Sequence, residues 1–124
     1  MKALELIARE RQRQVTQEGW TPEHDDGHVL GEMAQAAACY AHPSRRMSTH
    51  IYTPSFDELV ATRGGGSTKT RIPTEWPWDA EWWKPAPNDR IRELVKAGAL
   101  IAAEIDRLVR IDAALLAAGV EVNQ

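Results

Sequence analysis

Residues 88–118 hold no proline and carry Ile91, Leu94, Val95, Gly98, Ile101, Ala102, Ile105, Leu108 and Val109 at helical steps, one apolar stripe sustained over several turns. Asn88 is placed to cap this helix, Asp89 suits the positive end of its dipole, and Gly119 stops it. Two further helices are expected. Lys2 to about Glu18 places Leu4, Ile7 and Ala8 on one side and ends at Gly19-Trp20-Thr21-Pro22. The next starts at Asp25 or Asp26, either of which can cap it, and runs to about Ala41 before His42-Pro43. No segment keeps a strand period. The expected class is all-α, in one domain spanning 1–124.

Between the helices, residues 43–87 hold most of the prolines and four of the five tryptophans. Thr53-Pro54 is expected to open a short helix through Val60, and a flexible loop is expected at about 61–72, around Gly64-Gly65-Gly66-Ser67. A connection this long is usually functional or disordered, and its tryptophans favour function. With one Phe and many Ala, the chain favours close helix packing completed by a second copy. A formal charge of −3 argues against a general nucleic-acid surface. A single Cys makes no internal disulfide, and no apolar run reaches membrane length, so a cytoplasmic protein with no membrane partner is expected.

Two polar clusters interrupt this apolar pattern. His24-Asp25-Asp26-Gly27-His28 leads to Glu32, and Glu93 with Lys96 precedes Glu104 on the last helix. Carboxylates facing out of two packed helices suggest a hard-cation site for Mg²⁺ or Mn²⁺, to which His28 adds a nitrogen if the ion is manganese. Glu104 lies about 16 Å along the axis from Glu93, so one small site takes only one of them, and Glu93 is the better candidate. The same residues also read as helix caps and local ion pairs. His24 and His28 stand at zinc spacing, but Asp25 follows the first His where a zincin has Glu, and no Cys is near, which argues against zinc.

The run Trp76-Pro77-Trp78-Asp79-Ala80-Glu81-Trp82-Trp83-Lys84-Pro85 reads in two ways. It is a wedge supplying core or interface aromatics, or a site for a planar base, with Lys84 and Arg90 beside it for an anionic tail. On the base-binding reading, Trp20, Trp78, Gln14 and Gln17 are the groups that choose the base.

At Leu30-Gly31-Glu32-Met33-Ala34 and Glu93-Leu94-Val95-Lys96 the chain resembles the MazG-like branch of the all-α nucleoside triphosphate pyrophosphohydrolases. That family carries Glu-Glu-x-x-Glu and Glu-x-x-Asp on two helices and holds magnesium or manganese. Here the first pattern reads His28-Val29-Leu30-Gly31-Glu32, and Lys96 replaces the Asp of the second. Over about residues 10–108 the chain is similar to the MazZ-type offshoot that accompanies 2-aminoadenine DNA in bacteriophages. Glu18-Gly19-Trp20, His24-Asp25-Asp26-x-His28, Trp76-Pro77-Trp78-x-x-x-Trp82-Trp83-Lys84-Pro85 and Lys96-Ala97-Gly98-Ala99-Leu100-Ile101 carry that similarity.

The resemblance implies a MazG-like helical bundle that forms a dimer or tetramer. It implies hydrolysis of a purine deoxynucleotide, dGTP, to dGMP and pyrophosphate, feeding 2-aminoadenine nucleotide synthesis in the host cytoplasm. Glu32 and Glu93 match family positions, and Asp25, Asp26 and His28 replace the missing carboxylates. The expected roles follow: a metal-activated water, Asp26 as proton acceptor, and Lys84, Arg90 and Lys96 against the phosphates.

Overall fold

A computed structural model describes residues 2–42, 72–86 and 88–121. Its helices are α1 (Lys2–Gln17), α2 (Pro22–Asp25), α3 (Glu32–Ala41) and α4 (Arg90–Ala117), with a 3-10 turn over Ala80–Trp82. There is no strand among the described residues, and the class is all-α. No helix among them is long and apolar enough to cross a membrane. The short helix expected from Thr53, and all but the last residue of the loop expected at 61–72, lie outside the described residues.

Local chemistry sets the boundaries. Gly19 takes a φ of +76°, which L side chains avoid, and lets the Trp20 N–H return to the Gln14 carbonyl at 3.0 Å. Thr21 then caps α2, its Oγ1 accepting from the His24 N–H at 3.3 Å, with Pro22 in the first turn. The helix expected from Asp25 or Asp26 to Ala41 forms only from Glu32: α2 ends at Asp25, residues 26–31 are not helical, and Gly31, at φ +79°, immediately precedes α3. Asp25 therefore closes a helix instead of capping one, and Asp25, His28 and Glu32 do not share a continuous helical face. Asp89, not Asn88, caps α4, accepting from the Arg92 N–H at 3.1 Å.

Helix α3 runs antiparallel to α4. Arg90, at the start of α4, donates to the Tyr40 carbonyl at 2.9 Å, while Arg107 farther along α4 interacts with Glu32 at the start of α3. Ala36, Ala37, Ala97 and Ala103 are buried between them, small enough for the axes to approach, and Met33 and Leu100 fill the remaining space. Gly98 does the same for α1, since a Cβ there would meet Ile7 Cδ1 at 2.7 Å. Trp76 and Trp83 close the core. Trp83 stacks on Tyr40 with ring centroids 4.8 Å apart, and the Lys84 N–H donates to the Tyr40 hydroxyl at 3.1 Å.

The apolar stripe read from the sequence of α4 is covered only in part: Val95, Gly98 and Ala102 are half-buried, Gly98 against Ile7 of α1, and the rest lies outside the most buried face. The buried face is Glu93, Ala97, Leu100, Ala103 and Arg107. Ile91, Leu94, Ile101, Ile105, Leu108 and Val109 remain 47–59% exposed. Helix α4 is thus apolar on two sides, and periodicity identified the outer one.

Candidate functional site

Trp20, Trp78 and Trp82 wall a cleft of about 320 Å³, with His24, His28, Pro77 and Asp79 completing its lining. Trp20 meets Trp78 at a centroid distance of 5.8 Å and an angle of 61°, and Trp82 at 6.2 Å and 53°. His24 lies nearly parallel to Trp20, and His28 is 5.1 Å from Trp78. The volume suits a small organic ligand, and the tilted rings offer π faces to a flat one. Trp78 Nε1 is buried and has no hydrogen-bond partner among the described residues.

Arg11 holds this wall in place from α1. Its Nη1 donates to the Trp20 carbonyl at 3.2 Å, and its Nη2 pairs with the Asp25 carboxylate, whose side chain is 1% exposed. Asp25 thus anchors the loop behind the cleft. The Trp-rich run divides by burial, with Trp76 and Trp83 in the core and Trp78 and Trp82 at the cleft. The sequence does not single out Asp79, and it marks His24 only by its zinc spacing with His28; both belong to the two motifs that face each other across the cleft.

Glu32 sits at the cleft's edge. Its Oε2 lies 3.2 Å from His28 Nδ1, and its Oε1 accepts the Leu30 N–H at 2.6 Å. Burial raises its pKa, but hydrogen bonds from the Leu30 amide, its own amide and His28 outweigh this and hold the carboxyl below its usual range. Nearby, Glu104 binds Arg107 at 2.6 Å and Asp26 binds Arg110 at 2.7 Å. The Glu104 hydrogen bond raises the Arg107 pKa against the effect of burial, and Asp26 and Glu32 add to the rise. Arg107 thus pairs with Glu104 and feels the charges of Asp26 and Glu32, which pair with Arg110 and His28.

Glu93 lies elsewhere. It is fully buried, with Oε1 3.4 Å from Arg90, whose guanidinium caps the carbonyls of Tyr40 and Ala41. Glu32 opens α3, and Tyr40 lies about 12 Å farther along its axis. The structure therefore does not bring Glu32 and Glu93 onto one ion. Glu104, set aside for its distance from Glu93, is the carboxylate of α4 that shares surroundings with Glu32. Among the described residues no group of three or more His, Cys, Asp or Glu side chains is placed to hold a metal. A hard cation needs converging oxygens, whereas Asp25, Asp26 and Glu93 each face an arginine and Glu32 faces His28. As placed here, these side chains do not converge on one point.

On the other side of Trp20 and Trp82 the charge is mainly positive. Lys84 Nζ stands 5.4 Å above the Trp82 ring and 3.7 Å from Glu18. The Glu18 pKa is lowered, chiefly by its hydrogen bond with Arg13. Lys96 Nζ donates to the Lys84 carbonyl at 2.6 Å and lies 5.6 Å from the centre of the Tyr40 ring. Burial lowers its pKa, as does neighbouring Arg92. Glu10 is buried between Arg13 at 2.9 Å and Arg92 at 2.7 Å. Burial raises its pKa, but the two guanidiniums lower it further, to below the normal range.

Gln14 donates to Glu10 at 3.3 Å, and its buried Oε1 has no partner among the described residues. Gln14, Lys84 and Lys96 line a second cavity of about 20 Å³, room for one water, which shares Trp20 and Trp82 with the cleft. Gln17 is exposed and lines neither cavity, and Arg90 spends its donors on the end of α3. Comparison of the chain with protein-family models, with curated proteins and with solved structures finds no match.

Proposed function

We propose that this chain binds a purine deoxynucleoside triphosphate, dGTP above others, and hydrolyses it between the α- and β-phosphates to dGMP and pyrophosphate. The cleft of Trp20, Trp78 and Trp82 carries the binding half of this reading. Stacking on such rings contributes about 1–3 kcal/mol per base. Lys84, half exposed above Trp82 on the side of the ring away from the cleft, is the cation a phosphate tail would meet on passing the ring's edge, with Lys96 behind it. The reaction, the choice of dGTP and the supply of dGMP to 2-aminoadenine nucleotide synthesis come from the MazG-like resemblance. The expected ion lacks an assembled ligand set, so the roles assigned to residues here concern holding the nucleotide.

A second reading, a non-catalytic nucleotide-binding module, is favoured by the internal pairing of Asp25, Asp26 and Glu93 with arginines. Product analysis separates the two. The protein is incubated with each common nucleotide and Mg²⁺ or Mn²⁺; dGMP with pyrophosphate from dGTP supports the hydrolase. Binding without products leaves the module, and absence of binding rejects both.

We also propose that a second copy of the chain covers the outer face of α4. A row of large aliphatic side chains on a helix already apolar on its inner face is the pattern of a helix buried on both sides. The wild-type protein should sediment as a dimer or larger, and an Ile105→Glu/Leu108→Glu protein as a monomer. A wild-type mass of 13.9 kDa in solution would reject the interface.

A further inference from the structure

Among the residues lining the aromatic cleft, Asp79 alone has a side chain that offers only acceptors. Its backbone oxygen accepts the Trp76 Nε1–H at 3.2 Å and the Trp82 N–H at 3.0 Å, which fixes the turn that presents it. Its exposed carboxylate has no hydrogen bond or ion pair with the described residues. Trp78 Nε1 is a buried donor without a partner among the described residues, and the two histidines are engaged. His24 Nδ1 lies 3.4 Å from Asp25, and His28 Nδ1 lies 3.2 Å from Glu32. The cleft thus combines stacking walls with one carboxylate free to receive two donors.

We propose that Asp79 reads the base edge of guanine, taking the N1–H and a 2-amino N–H on its two oxygens. This rests on the reading of the cleft as a base site. A carboxylate accepts and does not donate at neutral pH. Guanine presents two adjacent donors in its plane, which a carboxylate meets in bidentate fashion, as it meets a guanidinium. Adenine presents one donor beside the N1 lone pair, so one carboxylate oxygen faces an acceptor. Hypoxanthine keeps the N1–H and lacks the 2-amino group, which places it between them. Asp79 is therefore a specificity residue, separate from the tryptophans that bind any base.

The test is titration of tryptophan fluorescence with dGTP, dITP and dATP in EDTA, for the wild type, Asp79→Asn and Asp79→Ala. The wild type should bind in the order dGTP, dITP, dATP. The gap between the first and last should be about tenfold or more, the scale of hydrogen bonds to a charged group. Both variants should keep dATP binding and lose the gap. On the wild type, 1-methyl-dGTP should bind no better than dITP, a measurement that needs no variant to fold. Equal wild-type affinities, or a gap that survives both substitutions, overturns the assignment to Asp79. A different result marks failure of the base-site reading itself: no nucleotide changes the fluorescence, or Trp82→Ala binds dGTP as tightly as the wild type.

Discussion

An Arg11→Met protein is expected to lose about 3–5 kcal/mol of stability, the cost of leaving a buried charge without its partner. The Asp25 side chain is 1% exposed and Arg11 15%, so little water reaches the pair. A domain of this size has only about 5–15 kcal/mol in total, so this single substitution uses a large share. The same change removes the donor to the Trp20 carbonyl, and nucleotide affinity should fall with stability. Urea denaturation measures the first effect. An Arg11→Met/Asp25→Leu protein should recover much of the loss, because an apolar pair tolerates burial. A single-variant loss below about 1 kcal/mol, the scale of an exposed ion pair, would show that the pair contributes no more than a surface contact.

Helix positions were legible because each has a local cause. Gly19 ends α1 and Gly119 follows α4, both visible as residues with known terminal chemistry, whereas Thr21-Pro22 reads in the sequence only as the stop of the first helix and in the structure also opens α2. The start of the second expected helix was less legible. Gly27 and Gly31 both stand in it, and a glycine inside a helix costs about 1 kcal/mol without forbidding the helix. What decided the matter is the left-handed backbone at Gly31, together with a Glu32 carboxylate that reaches back to the Leu30 amide. Neither is a property of spacing.

The candidate site was legible in part, and the limits are physical. Trp20 and Trp78 were read as base contacts, and both line the cleft. The carboxylates were harder, because helical projection places a residue on a face but does not say which end of the neighbouring helix it meets. Glu32 and Glu93 are both on faces that pack together, yet the antiparallel arrangement puts Glu93 beside the end of α3 and Glu104 nearer its start. Arg107 carried no sequence signal beyond its spacing from Glu104. It is buried, and it pairs with Glu104 within reach of the charges of Asp26 and Glu32.

Adjacent tryptophans provide the last and most discriminating test. Trp83 is 6% exposed, stacked on Tyr40 and edge-on to Trp76, so Trp83→Ala is expected to cost about 3–5 kcal/mol, as for other buried aromatics cut to alanine. Its effect on dGTP binding should follow only from the fraction unfolded. Trp82 is partly buried, packs on the core from outside and faces the cleft. Trp82→Ala should leave a cooperative fold and lose about 1–3 kcal/mol of stacking, roughly a five- to hundredfold weaker complex. Thermal melts with and without dGTP read both quantities in one experiment, since ligand that binds only the folded state raises the midpoint. Trp82→Ala should melt close to the wild type without nucleotide and show a much smaller shift with it. Trp83→Ala should melt far lower and, at temperatures where it is folded, keep its shift. The opposite pattern would place the base on the core side of the segment and reject the cleft as its site.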